Sequence, residues 1–275
     1  MSLNPSVLGT QDTASMTHPF ITRVFIEEAG QGRMDPEMAD LAAEFAARGI
    51  PVDLFTEKKL LRRWLPLSRT TLVAGSIPVV VQALKQLKVE IPRPNDYPHS
   101  LQPWFKRRIW PGTVGNVLQS AARSWDRPLF IKPRENLKRF TGKVFESESD
   151  VWELSRFSKH TPVWCAEVVR WLVEYRVFVV KSSVIGIRWY AGDAHYLLDE
   201  TVMTKAIQVF EASGEAHAAY AIDFGVLETG ETALIEVNDG FSIGAYGLDR
   251  GLYAEFTLTR WLELMEGQDP GALTF

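Results

Sequence analysis

Two different spacings of hydrophobic residues divide the chain, and the first one predicts a small parallel α/β unit. Short apolar runs, typical of buried strands, occupy residues 21–26, 52–55 and 71–74. Each run is followed by residues with helical spacing, and Asp35, Thr56 and Ser76 precede those segments as candidate N-caps. Strands that alternate with helices form parallel βαβ units. The polar residues 1–17 lack such periodicity and predict a flexible tail.

The second spacing begins after Arg127 and predicts an α+β unit. The predicted strands occupy residues 128–132, 163–169, 174–180, 184–190, 221–227 and 232–237, and the predicted helices residues 150–158 and 202–213. Several strands joined by short turns are typical of antiparallel sheets. Prolines at positions 92, 94 and 98 oppose helix and central strand, so they predict a linker. We place the domain boundary near residue 100.

Composition excludes several classes of protein. The chain has 275 residues, of which 46% are hydrophobic and 23% charged, so it is long and apolar enough to bury a core and is not disordered throughout. Its only cysteine, Cys165, excludes a disulfide framework and a multi-cysteine zinc module, and favours a reducing compartment. The N-terminal residues do not follow the pattern of a secretory signal. We therefore expect a cytoplasmic location without a membrane span.

The net charge of −4 conceals an uneven distribution. Residues 103–143 hold ten Lys and Arg against two Asp and Glu, a local charge of +8. Residues 193–239 hold ten acids and one base, a local charge of −9. A basic segment followed by an acidic one is what a site for an anion and a divalent metal requires.

The acidic segment contains a candidate metal set of Asp223, Glu236 and Asn238. If Leu227 faces Thr232 across a tight turn, Asp223 faces Glu236, and Asn238 shares their side of the sheet. Two facing carboxylates repel each other unless a cation lies between them. Oxygen ligands with few carboxylates suit Mg²⁺ bound together with substrate phosphates. The alternative is a solvated hairpin face, where acids are common.

A second hairpin brings together two arginines. A three-residue loop at 181–183 would place Arg176 opposite Arg188, with Glu174 on the same face. Two neighbouring guanidinium groups are unfavourable unless an anion lies between them, and their planar shape suits phosphate or carboxylate. The alternative is an edge hairpin whose charges face the solvent.

The basic segment offers candidate phosphate ligands. Lys132 ends a strand, whereas Lys138, Arg139 and Lys143 lie in or beside a loop that contains Gly142. The segment has no G-x-x-x-x-G-K-[ST] motif and is not a P-loop. A basic solvated loop is the alternative. Farther along, residues 164–169 are expected to form a strand that leads into a hinge, where Cys165 is a core residue rather than a nucleophile.

The order of these segments resembles the ATP-grasp family over residues 128–247. IKP, the glutamate-containing hinge, EYRVF, GIRWY, IDFG and IEVND carry the resemblance. It is strongest to a small clade named for two arginines and a lysine, in which a DYP segment like residues 96–98 recurs. The resemblance implies a mixed α/β (α+β) chain, with an ATP-grasp fold preceded by a small parallel βαβ lobe. The pre-ATP-grasp domain would span residues 18–100 and the ATP-grasp domain 101–275, with a small lobe at about 127–170 and a large lobe at about 171–275.

The resemblance also implies a function, an ATP- and Mg²⁺-dependent, ADP-forming ligase that joins a carboxylate to an amine through an acylphosphate. By position, Lys132 and Lys138 would bind the nucleotide, with Lys143 or Lys138 as the loop lysine. The adenine would meet Glu167, Val168 and Val169, and the ribose Glu174. Arg176 and Arg188 would steady the γ-phosphate and acylphosphate, whereas Asp223, Glu236 and Asn238 would hold Mg²⁺. The loop ENLKRFTGKVF has fewer glycines than is usual in the family.

Other functions stay open at this point. A nucleotide-binding regulatory module would bind ATP without turnover, and a phosphotransferase would give a stable phosphorylated product without an amine. The aromatic and basic residues 104–110 could recognise RNA or line an acceptor pocket. A pI of about 5.8 argues against general nucleic-acid binding. The carboxylate and the amine, whether small molecules, peptides or a macromolecule, are not identified.

Overall fold

The N-terminal part of the chain forms the predicted parallel sheet. A computed structural model describes residues 21–134 and 140–266. The first elements are β1 (Arg23–Glu27), α1 (Pro36–Ala47), β2 (Val52–Phe55), α2 (Glu57–Leu61), β3 (Thr71–Ala74) and α3 (Ile77–Gln86). The three strands pair in parallel in the order β2-β1-β3. The predicted βαβ arrangement is confirmed.

The predicted helix caps are confirmed only in part. The Asp35 side chain accepts the N–H of Glu37, and Pro36 opens α1 as expected. Thr56 and Ser76 stand at the starts of α2 and α3, but neither makes a side-chain cap hydrogen bond. The backbone N–H of Ser76 instead donates to the carboxylate of Glu27 at the end of β1.

The rest of the chain forms two antiparallel four-stranded sheets. After a 3₁₀ helix (His99–Trp104) come β4 (Ile109–Thr113), α4 (Val114–Ala121), β5 (Leu129–Pro133), β6 (Lys143–Phe145), α5 (Glu148–Trp152), a 3₁₀ turn (Glu153–Arg156), β7 (Pro162–Glu167), β8 (Trp171–Val180), β9 (Ser183–Gly192), α6 (Glu200–Ala212), β10 (Ala219–Leu227), β11 (Thr232–Asp239) and α7 (Arg250–Glu266). The smaller sheet has the order β4-β7-β5-β6 and the larger one β11-β10-β8-β9. The sequence predicts neither β4, α4, β6 nor α7.

Both site hairpins have the predicted facing pairs, although their turns differ from the prediction. Asp223 faces Glu236, but Val226 rather than Leu227 faces Thr232. A β-bulge beside Asp223 then restores the pairing.

The β8–β9 hairpin shows the same compensation. Arg176 faces Arg188 as predicted, but its turn contains two residues, Lys181 and Ser182, because Val180 pairs with Ser183. A bulge between Phe178 and Val179 corrects the register.

One hydrophobic core joins the parallel sheet to the larger antiparallel sheet. Helix α7 lies in this core and is buried around most of its circumference, at residues that include Phe256, Leu258 and Trp261. A second cluster fills the other face of the larger sheet under α6, and a third packs α4 and α5 on the smaller sheet. No helix in the described part of the chain is long and apolar enough to cross a membrane.

Candidate active site

Arg176 and Asp223 form a buried ion pair in the middle of the larger sheet. They face each other on β8 and β10, and Arg176 Nε and Nη2 donate to Asp223 Oδ1 and Oδ2 at 2.9 and 2.7 Å. Arg176 is 7% exposed and Asp223 1%. The amide nitrogen of Asn238 also donates to Asp223 Oδ2, at 3.2 Å. This fork-to-fork geometry fixes the plane of the guanidinium group.

Arg188 lies beside this pair on the edge strand β9. Its Nε atom is buried, and no described residue accepts a hydrogen bond from it. A buried donor without a partner is unfavourable, so the position favours an anionic ligand.

Lys132 connects the smaller sheet to the larger one. Its Nζ lies 2.6 Å from Glu236 Oε2 and 2.7 Å from Asp96 Oδ2. The ring of Tyr97 lies under the ammonium group, with its centroid 5.0 Å from Nζ. We call Lys132, Asp96, Glu236, Arg176 and Asp223 the charge cluster.

Arg107 holds the β11 bulge next to Glu236. Its Nη1 and Nη2 donate to the carbonyls of Leu234 and Ile235 at 2.8 and 2.9 Å, and its guanidinium group lies 5.3 Å from the ring of Trp171. The sequence pattern predicts Arg107 in an aromatic and basic patch. Its partners in the fold are backbone carbonyls 127 and 128 residues away, which no local pattern reveals.

Two tyrosines cover Arg176. The ring centroids of Tyr190 and Tyr246 lie 5.8 and 4.9 Å from its guanidinium carbon. The hydroxyl of Tyr190 donates to Glu174 Oε2 at 2.8 Å, so the predicted ribose ligand lies next to the two arginines. Glu37 of α1 accepts the backbone N–H of Tyr246 at 3.0 Å and so fixes the covering loop. No sequence pattern indicates a role for Tyr246.

Lys143 does not join this group. Because Lys143 pairs with Ile131, it lies on the opposite side of the sheet from Lys132. We call the side with Phe130, Lys132 and Trp164 the interlobe face, and the side with Ile131, Lys143 and Cys165 the helix-packed face.

On the helix-packed face, Lys143 Nζ contacts Glu153 Oε2 at 2.6 Å and lies 5.0 Å from the ring of Phe145. A catalytic role for Lys143 stays a prediction that this geometry does not support. Lys138, the other candidate loop lysine, lies outside the described residues. Gly142 packs against the base of Lys132, where a Cβ would lie 2.7 Å from Lys132 Cβ.

The predicted adenine segment follows β7. Glu167 ends that strand, and its carboxylate accepts the backbone N–H of Arg108 at 3.1 Å. The backbone N–H of Glu167 donates to the carbonyl of Arg108. Val168, directly after the strand, is 43% exposed, and Val169 lies next to it in the connection to β8. A ligand edge that meets this segment without breaking these pairs would therefore contact the connection between the sheets.

Burial and neighbouring charge act against each other in the charge cluster. Burial would raise the pKa of Glu236, but Lys132 beside it holds this pKa below its ordinary value. Burial would lower the pKa of Lys132, but Glu236, Tyr97 and Asp96 together raise it. Burial raises the pKa of Asp223 to about 6, although Arg176 acts in the opposite direction. Glu236 and Lys132 therefore both carry their charge at neutral pH.

The donor set fits Mg²⁺ bound together with phosphates. Asp223, Glu236 and Asn238 offer oxygen ligands only. Across residues 21–134 and 140–266, no three or more His, Cys, Asp and Glu side chains are placed to hold a metal by themselves. Two carboxylates and an amide are a set that is completed by substrate oxygens.

Comparison with known families identifies the fold. Residues 104–256 match a family described as an ATP-grasp domain, family 2 of its clade. The chain belongs to this ATP-grasp family. No curated protein sequence matches the chain significantly.

Solved structures share this ATP-grasp fold. A RimK-domain ATP-grasp protein from Sphaerobacter thermophilus DSM 20745 is 18% identical, with a TM-score of 0.53 over 86% of this chain and 99% of that chain. D-alanine–D-alanine ligase from Bacillus anthracis is 10% identical, with a TM-score of 0.52 over 90% and 99% of the chains. N5-carboxyaminoimidazole synthetase from Staphylococcus aureus, complexed with ADP, is 10% identical, with a TM-score of 0.51 over 87% and 78%. These similarities confirm the predicted mixed α/β fold class.

Proposed function

We propose that this protein is an ATP- and Mg²⁺-dependent ligase that joins a carboxylate to an amine and releases ADP and phosphate. The observation that carries the proposal is the arginine pair on β8 and β9. Arg176 is fixed by Asp223, and Arg188 offers a buried N–H that no described residue accepts. Such a pair suits an anion whose charge changes during a reaction.

The proposed reaction has two steps. A carboxylate oxygen of the substrate attacks the γ-phosphorus of ATP, the bond to the β,γ-bridging oxygen breaks, and ADP leaves. The amine then attacks the acyl carbon of the acylphosphate, loses a proton and displaces phosphate. Arg176 and Arg188 bind the transferred phosphoryl group in both steps, and Lys132 binds the nucleotide phosphates.

The remaining assignments follow from family membership. Asp223, Glu236 and Asn238 would hold Mg²⁺, and the chemistry that this ion supplies when bound is neutralisation of charge on the phosphates. Glu174 would bind the ribose, and residues 167–169 the adenine. We assign residues 18–100 to a pre-ATP-grasp domain that contributes to the acceptor site, and we place the enzyme in the cytoplasm.

The test uses the full chain with ATP, MgCl₂, pools of small-molecule and peptide carboxylates, and hydroxylamine as a trap for the acylphosphate. We expect carboxylate-dependent release of ADP and formation of a hydroxamate, both read by mass spectrometry. Formation of a stable phosphorylated product would indicate a phosphotransferase. ATP binding without turnover in any pool would indicate a regulatory module.

Two variants test the site assignment. Arg188→Gln and Glu236→Gln should abolish ADP release while the thermal unfolding temperature stays close to that of the wild type. Full activity of both variants would contradict the assignment.

A further inference from the structure

Asp96 lies in the proline-rich segment before the antiparallel sheets, and its carboxylate shares Lys132 with Glu236. Lys132 Nζ is 2.7 Å from Asp96 Oδ2 and 2.6 Å from Glu236 Oε2. The side chains of Asp96 and Lys132 are each 14% exposed, and that of Glu236 is 24% exposed. A single ammonium group thus balances two largely buried carboxylates from distant parts of the chain.

The backbone fixes Asp96 in this place independently of Lys132. Its carbonyl accepts the N–H of Val237 at 2.9 Å, so the segment runs beside β11 next to Glu236. The adjacent Tyr97 ring stands edge-on to Phe105 and Trp164, at centroid distances of 5.4 and 5.3 Å. Changing the carboxylate of Asp96 therefore leaves the anchors of its segment intact.

The two carboxylates have different further duties. Glu236 belongs to the proposed metal set, and any cation bound there competes with the Lys132 ammonium for its oxygen atoms. Asp96 lies outside that set. It gives the ammonium a partner that remains available when Glu236 is taken.

We propose that Asp96 is a positioning residue, which holds Lys132 beside the phosphates and draws it away from Glu236 so that Mg²⁺ can bind there. The inference rests on the proposed function, because it assumes that a Mg²⁺–nucleotide complex occupies this site. Without Asp96, the ammonium has Glu236 as its remaining carboxylate partner in the charge cluster. More Mg²⁺ is then needed to displace it.

The test is calorimetric binding of AMPPNP by the full chain at a series of MgCl₂ concentrations. Asp96→Asn keeps the size of the side chain and removes its charge. We expect the MgCl₂ concentration at half-maximal binding to rise about tenfold, the effect of losing one hydrogen bond to a charged group. Asp96→Glu should restore most of the wild-type requirement.

Glu215→Gln is the matched control. Glu215 accepts hydrogen bonds from Asn95 at 3.3 Å and Ser100 at 2.8 Å, so it holds the same segment from its other side. Removal of this exposed charge should leave the Mg²⁺ requirement within about twofold of the wild type. A tenfold rise in the control as well would mean that the segment as a whole, and not Asp96, sets the requirement, and would overturn the inference.

A second background keeps the test decisive if Asp96→Asn folds poorly. Lys132→Gln removes the competing ammonium, so its Mg²⁺ requirement should not exceed that of the wild type, and adding Asp96→Asn should leave it unchanged. A tenfold shift in both backgrounds, or none in either, overturns the inference. If the wild type binds no AMPPNP at any MgCl₂ concentration, the proposed function fails and the inference fails with it. If the wild type binds and Asp96→Asn matches it, the inference alone fails.

Discussion

Lys132 and Lys143 come from one basic segment and lie on paired strands of one sheet, yet their environments are opposite. The Lys132 side chain is 14% exposed and contacts two carboxylates of the charge cluster. The Lys143 side chain is 47% exposed and contacts Glu153, which is itself half exposed. Lys143 pairs with Ile131, one residue before Lys132, and that single position sends the two side chains to opposite faces.

The comparison shows that a local excess of charge says little about a binding site until the face of each residue is known. On the interlobe face, charges are buried and held by several partners at once. On the helix-packed face, the same residue types lie at the solvent-exposed rim of an apolar core. Each of the following predictions compares the two environments, beginning with the largest expected effect.

The buried ion pair of the charge cluster should matter far more for stability than the exposed pair on the helix-packed face. Asp223→Asn leaves Arg176 buried without its carboxylate, so we expect the free energy of unfolding to fall by about 3–5 kcal/mol. Glu153→Gln removes the partner of Lys143 and should lower it by less than about 1 kcal/mol. Urea denaturation measures both. Equal losses would mean that the Arg176–Asp223 pair is hydrated in the folded protein.

The two lysines should differ by a large factor in nucleotide binding. Lys132→Met removes a charge that faces the proposed phosphate site, and we expect AMPPNP to bind about 100-fold more weakly in saturating MgCl₂. Lys143→Met removes an exposed charge on the other face and should change the affinity by less than about threefold. Calorimetry on both variants gives the comparison. Stronger dependence on Lys143 would show that its strand moves to the nucleotide on binding, and would restore the catalytic role predicted from the sequence.

Sequence reasoning predicted the facing pairs of the site correctly while misplacing both turns. In each hairpin the connection differs by one residue from the expectation, and a bulge in the second strand takes up the difference. At the β10–β11 bulge, the carbonyls of Leu234 and Ile235 bind Arg107, from far earlier in the chain. Local spacing contains no information about such a partner, so the pairing was predictable from the facing acids and the bulge was not.

The elements and site residues that sequence reasoning missed share one physical property, dependence on distant contacts. Helix α7 is buried on most sides, so its apolar residues lack the single stripe that identifies a surface helix. Asp96 is predicted to lie in a linker because the neighbouring prolines exclude regular structure. Its position beside Lys132 depends on the hydrogen bond from Val237, which only the folded chain provides.

Two glycines of the smaller sheet and its adjoining loop test how closely the chain packs on each face. A Cβ at Gly142 would lie 2.7 Å from Lys132 Cβ and 2.9 Å from Phe130 Cζ, whereas one at Gly112 would lie 3.8 Å from Cys165 Sγ. Gly142→Ala should cost about 1–3 kcal/mol of unfolding free energy and weaken AMPPNP binding, because it displaces Lys132. Gly112→Ala should change stability by less than about 0.5 kcal/mol. Normal AMPPNP binding by a destabilised Gly142→Ala protein would show that the displacement stops short of the ammonium group.

Cys165 offers the smallest effect and the cleanest test of which face is which. It pairs with Ile131 on the helix-packed face, is 2% exposed, and burial raises its pKa to about 11. At pH 8 about one thiol in a thousand is then the reactive thiolate, and the fraction rises about tenfold per pH unit until it approaches the pKa. Iodoacetamide should therefore label the folded protein slowly at pH 8, faster at higher pH, and fully in urea. Because Lys132 and the proposed nucleotide lie across the sheet, AMPPNP should leave the labelling rate nearly unchanged. Rapid labelling at pH 8 that AMPPNP suppresses would place Cys165 on the interlobe face and reverse the assignment of both lysines.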